Sequence, residues 1–317
     1  MNFNLTNVHY DQNSRHKFGQ LNESLFIQKL LNHLSTIMGN SFFDFEFFVF
    51  SHQGSSHLPS SIETTTVKKK VLLFFSDELG TDPQPYAHHY FAIFKSYIGT
   101  RSKAHNVFPL PLGYVKDVPH LPLIPINDRP INVFFRGNLN SNRLGFYRSL
   151  SKWRFFIPSR LVKYRRVLNS FLLNFQDDFS KYFPDSVIIF NNGFKTGYTP
   201  QEYGKVLSES KIVLCPNGFT TSESFRHFES MRAGCIIISE KLPETEFYSQ
   251  SPIIEIKDWK EGLLKAKELL SDPSTMEALH KDTLTWWENK CSEIATAKYI
   301  HSKLLRLDRL CSKGSIM

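Results

Sequence analysis

Residues 206–240, VLSESKIVLCPNGFTTSESFRHFESMRAGCIIISE, constrain the fold more than any other stretch, because strand, loop, helix and second strand are each legible in them. The β-branched run at 212–215 closes on Pro216, Asn217 and Gly218, which predicts a buried strand ending in a turn. Thr220 and Glu223 have the spacing of a capping box, and Gly234 lies where a helix begun near Thr221 needs a left-handed terminating residue. Residues 235–238 then read as the next buried strand. Such a unit sets a turn and a helix N-terminus at the carboxyl end of a strand, where open α/β sheets bind ligands and free backbone N–H groups favour phosphate. At about 100° per residue, Ser222, Arg226, Glu229 and Ala233 share one helix face and Phe225, Phe228 and Met231 another. The polar face has two readings: one side of a binding site, or an exposed Arg226–Glu229 pair worth ~0.2–0.5 kcal/mol.

The remaining chain alternates strand and helix patterns, which points to parallel sheets rather than a barrel or sandwich. Leu25, Ile27, Leu30, Leu31 and Leu34 recur at helical spacing over 24–38. In the strand pattern at 42–50, Phe43, Phe45, Phe47 and Val49 take one face. Asp44 and Glu46 take the other, as a wet edge or as an acidic metal motif. Residues 52–66 read as a loop. The apolar run at 71–75 ends in Ser76-Asp77-Glu78-Leu79-Gly80. Acidic residues just past a strand's carboxyl end sit where α/β proteins place function, so Asp77 and Glu78 are candidates for taking a proton from an acceptor hydroxyl; the alternative for Asp77 is a turn or cap. Residues 85–98 have a helical pattern in which the adjacent His88 and His89 diverge.

Pro119, Pro122, Pro125 and Pro130 punctuate the middle of the chain as a linker does, dividing it into domains at 1–125 and 126–317. The second opens with a strand at 131–135 and the turn Arg136-Gly137-Asn138. Residues 160–175 form an amphipathic helix pattern with a basic face, either solvated or facing anionic lipid or an acidic acceptor. A strand at 187–190, a helix from Pro200, a strand at 253–256 and helices over 259–270 and 273–310 complete the pattern.

Composition bounds the functional classes. The chain has 317 residues, 29 of them Phe, and a formal net charge of +8, which favours anionic partners without choosing among nucleic acid, acidic lipid and sugar nucleotide. No basic region followed by an apolar core opens the chain, and no run approaches the ~18 apolar residues of a bilayer span. Cys215, Cys235, Cys291 and Cys311 lack zinc-site spacing. Buried, reduced thiols and a cytoplasmic location are expected, with a Cys215–Cys235 disulfide as the alternative for a secreted chain.

Three motifs, LCPNG at 214–218, SFRHFE at 224–229 and GCIII at 234–238, together resemble the carboxyl-terminal half of exostosin-like glycosyltransferases, whose pattern runs Cys-Pro-x-Gly, Ser-x-Arg-x-x-Glu, Gly-Cys-Ile. FFRGN at 134–138 with Arg143, and more faintly SDE at 76–78 and PLPLGY at 109–114, are similar to other parts of that family; Ile237 stands where it usually has proline. The resemblance implies a GT-B-like α/β fold: two Rossmann-like domains whose parallel sheets face a cleft, an acceptor-side domain first, a nucleotide-sugar domain second, and terminal helices crossing back to the first. On that implication Arg136, Gly137, Asn217, Gly218, Thr220 and Ser222 surround the donor, Arg226 and Arg143 neutralise its diphosphate, and Glu229 accepts from ribose or sugar hydroxyls. It also implies inversion, and a glycan or lipid-linked acceptor.

No Asp-x-Asp occurs in the chain, so the expectation is a transferase without metal or other cofactor, with arginine and the helix dipole stabilising the leaving group. Two other classes compete. A catalytically inactive sugar-nucleotide-binding protein of the same fold has the same donor motifs. A basic nucleic-acid-binding protein has the charge but no helix-turn-helix, zinc or RNP pattern, so nucleic acid is not expected as a partner.

Overall fold

The computed structural model describes residues 5–10, 17–51, 68–98, 104–151, 177–191 and 197–312. The expected loop at 52–66 and amphipathic helix at 160–175 lie outside them. In chain order the strands and helices are β1 (Val8–Tyr10), α1 (Ser24–Met38), β2 (Phe45–Ser51), β3 (Lys69–Phe75), β4 (Ala92–Lys95), β5 (Val107–Pro109), β6 (Ile131–Asn138), α2 (Leu144–Leu150), β7 (Asp177–Asp178) and β8 (Val187–Asn191). They continue with α3 (Pro200–Ser208), β9 (Ser210–Cys215), α4 (Phe225–Arg232), β10 (Ile236–Glu240), β11 (Ile254–Ile256), α5 (Trp259–Leu270), α6 (Pro273–Trp286) and α7 (Glu293–Ser312).

The chain divides into two units, one of residues 1–116, 243–249 and 288–317 and one of residues 117–242 and 250–287. In the first, five parallel strands follow in the order β1-β2-β3-β4-β5. Both faces of β2 and β3 are covered, so their sequences are near-continuous apolar runs rather than alternating ones. This explains two departures from expectation. The strand begins at Phe45, with Asp44 in the preceding 3-10 turn, and Glu46 is held by His9 and Lys68 instead of sharing a wet face with Asp44. The apolar residues 92–95 form strand β4 between β3 and β5, where a helix over 85–98 was expected, because a short apolar run suits a covered strand as well as a helix.

The second unit holds the sheet β11-β10-β9-β6-β8-β7, parallel except for its edge pair β7–β8. Its core gathers Phe135, Phe146, Ile188, Phe190, Ile212, Leu214, Ile236 and Trp259. The chain steps from β6 to β8 on one side and then returns across β6 to place β9 on the other. The order therefore reverses between β6 and β9, the geometry that opens a crevice at strand carboxyl ends.

The proline-rich segment is no free linker. From Asp117 it belongs to the second unit, where Pro119 lies so close to Gly204 that a Cβ there would stand 2.7 Å from the proline Cδ. Arg129, only 2 % exposed, donates to Ile124 O at 3.0 Å, Ser210 O at 2.8 Å and Ala233 O at 2.8 Å, so its buried charge rests on carbonyl oxygens, one of them at the end of α4. The helix expected over 273–310 is broken by a π turn at Trp287–Cys291, where the chain passes from one unit into the other.

Candidate functional site

The organising unit folds as β9, loop, α4, β10. α4 ends in a Schellman arrangement: Cys235 N–H bonds Ser230 O at 2.9 Å and Gly234 N–H bonds Met231 O at 3.0 Å, with Gly234 at φ +67°. Its start differs from expectation. The N-cap is Ser224, and the residue three positions on is His227, whose Nδ1 accepts from Ser224 N–H at 3.2 Å. Thr220 and Ser222 lie in the loop, not on a helix face. Gly218 explains why: a Cβ there would meet Thr221 O at 2.8 Å and Glu223 O at 2.7 Å, so the loop wraps over it and the residues expected to cap the helix form that wrap instead. Gly218 is therefore buried under its own loop.

His227 ties α4 to β10. Its Nε2 lies 2.9 Å from Ser239 Oγ, which donates to Cys215 O at 3.1 Å. This network places the proton on Nε2, leaving Nδ1 to accept from the helix start. Burial pushes the imidazole down to about 4, opposed by the Ser224 backbone and aided by the positive charges of Arg226 and Arg143.

At the carboxyl ends of β6 and β9, where the strand order reverses, three arginines meet. Arg226 reaches from α4, donates from Nη2 to Arg136 O at 2.6 Å and stacks 4.9 Å from the Phe135 ring. Arg143, 9 % exposed, donates from Nε to Asn217 O at 2.8 Å and from Nη1 to Asn138 O at 2.9 Å. Arg136 donates to Asn191 Oδ1 at 3.1 Å and lies 3.8 Å over the Tyr198 ring. Gly137 sits among them, and a Cβ there would stand 3.0 Å from both Arg143 Nη1 and Arg226 Nη2. Arg226 Nε and Nη1 are buried without a hydrogen-bond partner, a costly state for a cation.

Beside this cluster an open hollow of about 740 Å³ is lined by Asn142, Asn217, Thr220, Ser222, Glu240 and Lys257, among others. Asn142 holds the loop by donating to Phe219 O at 2.8 Å. Glu240 Oε2 accepts from Asn217 N–H at 2.8 Å, and burial raises its carboxyl above the usual range against that hydrogen bond. Sequence reasoning missed Glu240 and Asn142, since nothing in their local spacing marks them; only the shared carboxyl edge of the sheet brings them to the loop.

The structure thus gathers Arg136, Gly137, Arg143, Asn217 and Arg226, with Thr220 and Ser222 beside them. Glu229 is buried on α4. It is 5 % exposed, so it is no surface partner of Arg226, and it accepts a hydrogen bond from the Tyr203 hydroxyl, which desolvation and this carboxylate push well above its ordinary range. It also lines a small enclosed cavity with Pro119, Gly204 and Arg232.

In the first unit Asp77 is fully engaged. Its Oδ2 lies 2.8 Å from Lys95 Nζ, both side chains 1 % exposed, and accepts from Thr81 N–H at 2.7 Å. This makes Asp77 the turn-forming, charge-paired residue of the alternative reading. Glu78 is half-buried and accepts from Tyr97 Oη at 3.4 Å. Cys215 and Cys235 are free and buried. In the β9–β10 register Ile212 faces Ile236, so the two cysteines stand four residues apart along paired strands, about 13 Å, beyond disulfide reach. Burial raises their thiols, to about 12 and about 11. No helix among the described residues is long and apolar enough to cross a membrane.

Comparison with solved structures finds likeness to a sucrose-phosphate synthase from Thermosynechococcus elongatus, with 10% identity, 90% of this chain and 80% of that chain covered and a TM-score of 0.48. AviGT4, a glycosyltransferase involved in avilamycin A biosynthesis, is similar with 10% identity, 90% of each chain covered and a TM-score of 0.45. At these scores the likeness decides nothing about activity or site residues. No protein-family model and no curated protein matches the chain.

Proposed function

We propose that this chain is a glycosyltransferase of GT-B type that moves a sugar from a nucleotide-sugar donor to a hydroxyl of a glycan or lipid-linked acceptor, with inversion and without metal. The observation that carries the reading is Arg226: a guanidinium at the topological reversal with two buried nitrogens lacking partners, beside Arg143 and a glycine that leaves room for both. A diphosphate presents several anionic oxygens that such a planar fork can pair with two at a time. As the acceptor oxygen bonds the anomeric carbon, the bond from that carbon to the diphosphate breaks, and Arg226 and Arg143 take up the charge that develops on the leaving group. Asn217, Thr220 and Ser222 line the hollow that takes the rest of the nucleotide. Of the two acids expected to act as base, Asp77 is held by Lys95 and Glu78 accepts from Tyr97. The buried thiols fit a cytoplasmic location, and the net charge of +8 fits an anionic membrane as the surface carrying a lipid-linked acceptor.

Purified protein incubated with a panel of uridine, guanosine, adenosine and cytidine nucleotide sugars, with and without EDTA, is expected to release nucleotide from at least one donor at the same rate in both. Loss of turnover in EDTA with recovery on adding manganese defeats the metal-free reading. A protein that binds sugar nucleotides without turnover is the second reading. Asp77 favours it, since Lys95 already occupies that carboxylate; binding with no release under any condition selects it.

A further inference from the structure

With Asp77 locked to Lys95, the first unit contains another acid that the sequence did not single out. Glu23 is the N-cap residue of α1 yet makes no side-chain cap. It is 1 % exposed. One carboxyl oxygen accepts from Ser76 Oγ, and the other, Oε2, is buried with no hydrogen-bond partner. Ser76 is the first residue past the carboxyl end of β3 and is half-buried. It has φ +55°, a left-handed conformation that glycine adopts freely and serine does not. A strained serine kept at a strand end, aiming its hydroxyl at a buried acid, is the kind of backbone outlier from which a functional role is inferred.

On the reading that this chain transfers a sugar to a hydroxyl, we propose that Ser76 and Glu23 form the proton relay for the acceptor. The acceptor hydroxyl contacts Ser76 Oγ. As its oxygen bonds the anomeric carbon and the nucleoside diphosphate departs, its proton passes to Ser76 Oγ, and the Ser76 proton passes to Glu23, which ends as a neutral carboxylic acid. Burial suits Glu23 to that end state, because desolvation raises its carboxyl above the ordinary range against the Ser76 hydrogen bond and its own backbone N–H. The charged groups on the surrounding elements are engaged elsewhere: Asp77 with Lys95, Glu78 with Tyr97, Lys116 with Gly19 O, and Lys29 with Glu293. Ser76 touches the substrate; Glu23 acts through it as a positioning residue and proton store.

The test is kcat and kcat/KM between pH 5 and 9 for wild type, Glu23→Gln and Ser76→Gly, with donor binding followed by the nucleotide-induced shift in Tm. Glu23→Gln is expected to lower kcat by about a hundredfold or more and to remove the acidic limb of the wild-type profile, with donor binding unchanged. Ser76→Gly relieves the left-handed strain, so it is expected to raise Tm while also lowering kcat at least about tenfold, a pairing that a purely structural serine does not give. Should Glu23→Gln fold poorly, the pairing in Ser76→Gly still decides. If wild type transfers sugar and both variants keep its kcat and pH profile, the relay is wrong and the proposed function stands. If wild type binds and transfers nothing, both fall.

Discussion

The carboxyl ends of the two sheets handle charge in opposite ways. In the first unit the strands run in sequential order with no reversal, and the charge just past β3 is consumed by neighbours: Asp77 by Lys95 and Thr81. In the second unit the order reverses between β6 and β9. There the guanidinium groups of Arg143 and Arg226 converge on Gly137, and Arg226 keeps two buried nitrogens without a partner. Charge satisfied inside the fold stabilises it, whereas charge left unsatisfied at a crevice is a demand for a ligand.

The largest expected effect tests the satisfied side. Removing one partner of a buried pair strands the other charge, so Asp77→Ala is expected to cost about 3–5 kcal/mol of stability, read by chemical denaturation, while nucleotide binding by whatever protein remains folded stays at the wild-type level. Replacing both residues, as Asp77→Leu with Lys95→Met, is expected to recover most of that loss. A double variant no more stable than Asp77→Ala would show that the pair does more than neutralise itself.

The next effect sharpens the other side, because the helix that carries Arg226 is seated by a neutral histidine. Above pH 6.5 the His227 imidazole is uncharged in both folded and unfolded chains, and its contribution is complete. As pH falls below 6.5 the unfolded chain takes up a proton that the folded one refuses until about 4, so stability is lost across that window. The full loss is roughly 3 kcal/mol for one proton. Denaturation midpoints measured from pH 7.5 to 4.5 are expected to fall more steeply for wild type than for His227→Gln. Parallel curves would mean that His227 is not the group responsible.

How far the sequence foretold these arrangements depended on how local their causes are. The β9–α4–β10 unit was legible because its strands are short β-branched runs and Gly234 takes a conformation that glycine favours. The start of α4 was misread because Thr220 and Glu223 have capping spacing, but the wrap over Gly218 takes those residues away and leaves Ser224 with His227, a less familiar cap. β4 was misread as helix because apolar runs of its length do not declare their period. Arg226 was singled out from helix spacing and Arg136 and Arg143 from a family resemblance, while the burial of Glu229 was not foreseen. Arg129, Glu240 and Glu23 were not visible at all. Their roles come from carbonyls, an amide and a hydroxyl supplied by segments distant in sequence, which no local pattern encodes.

The central claim is that Arg226 makes the second unit's strand reversal a diphosphate site. Calorimetric titration of uridine, guanosine, adenosine and cytidine diphosphates into wild type and Arg226→Ala tests it most directly. At least one diphosphate is expected to bind wild type, with affinity falling as salt rises. Arg226→Ala is expected to bind the same ligand about ten- to a hundredfold more weakly, the loss of charge-assisted hydrogen bonds worth roughly 1.5–3 kcal/mol, with a lower Tm from the lost bond to Arg136 O and packing on Phe135. No binding of any diphosphate at millimolar concentration, or equal affinity in the two proteins, contradicts the claim.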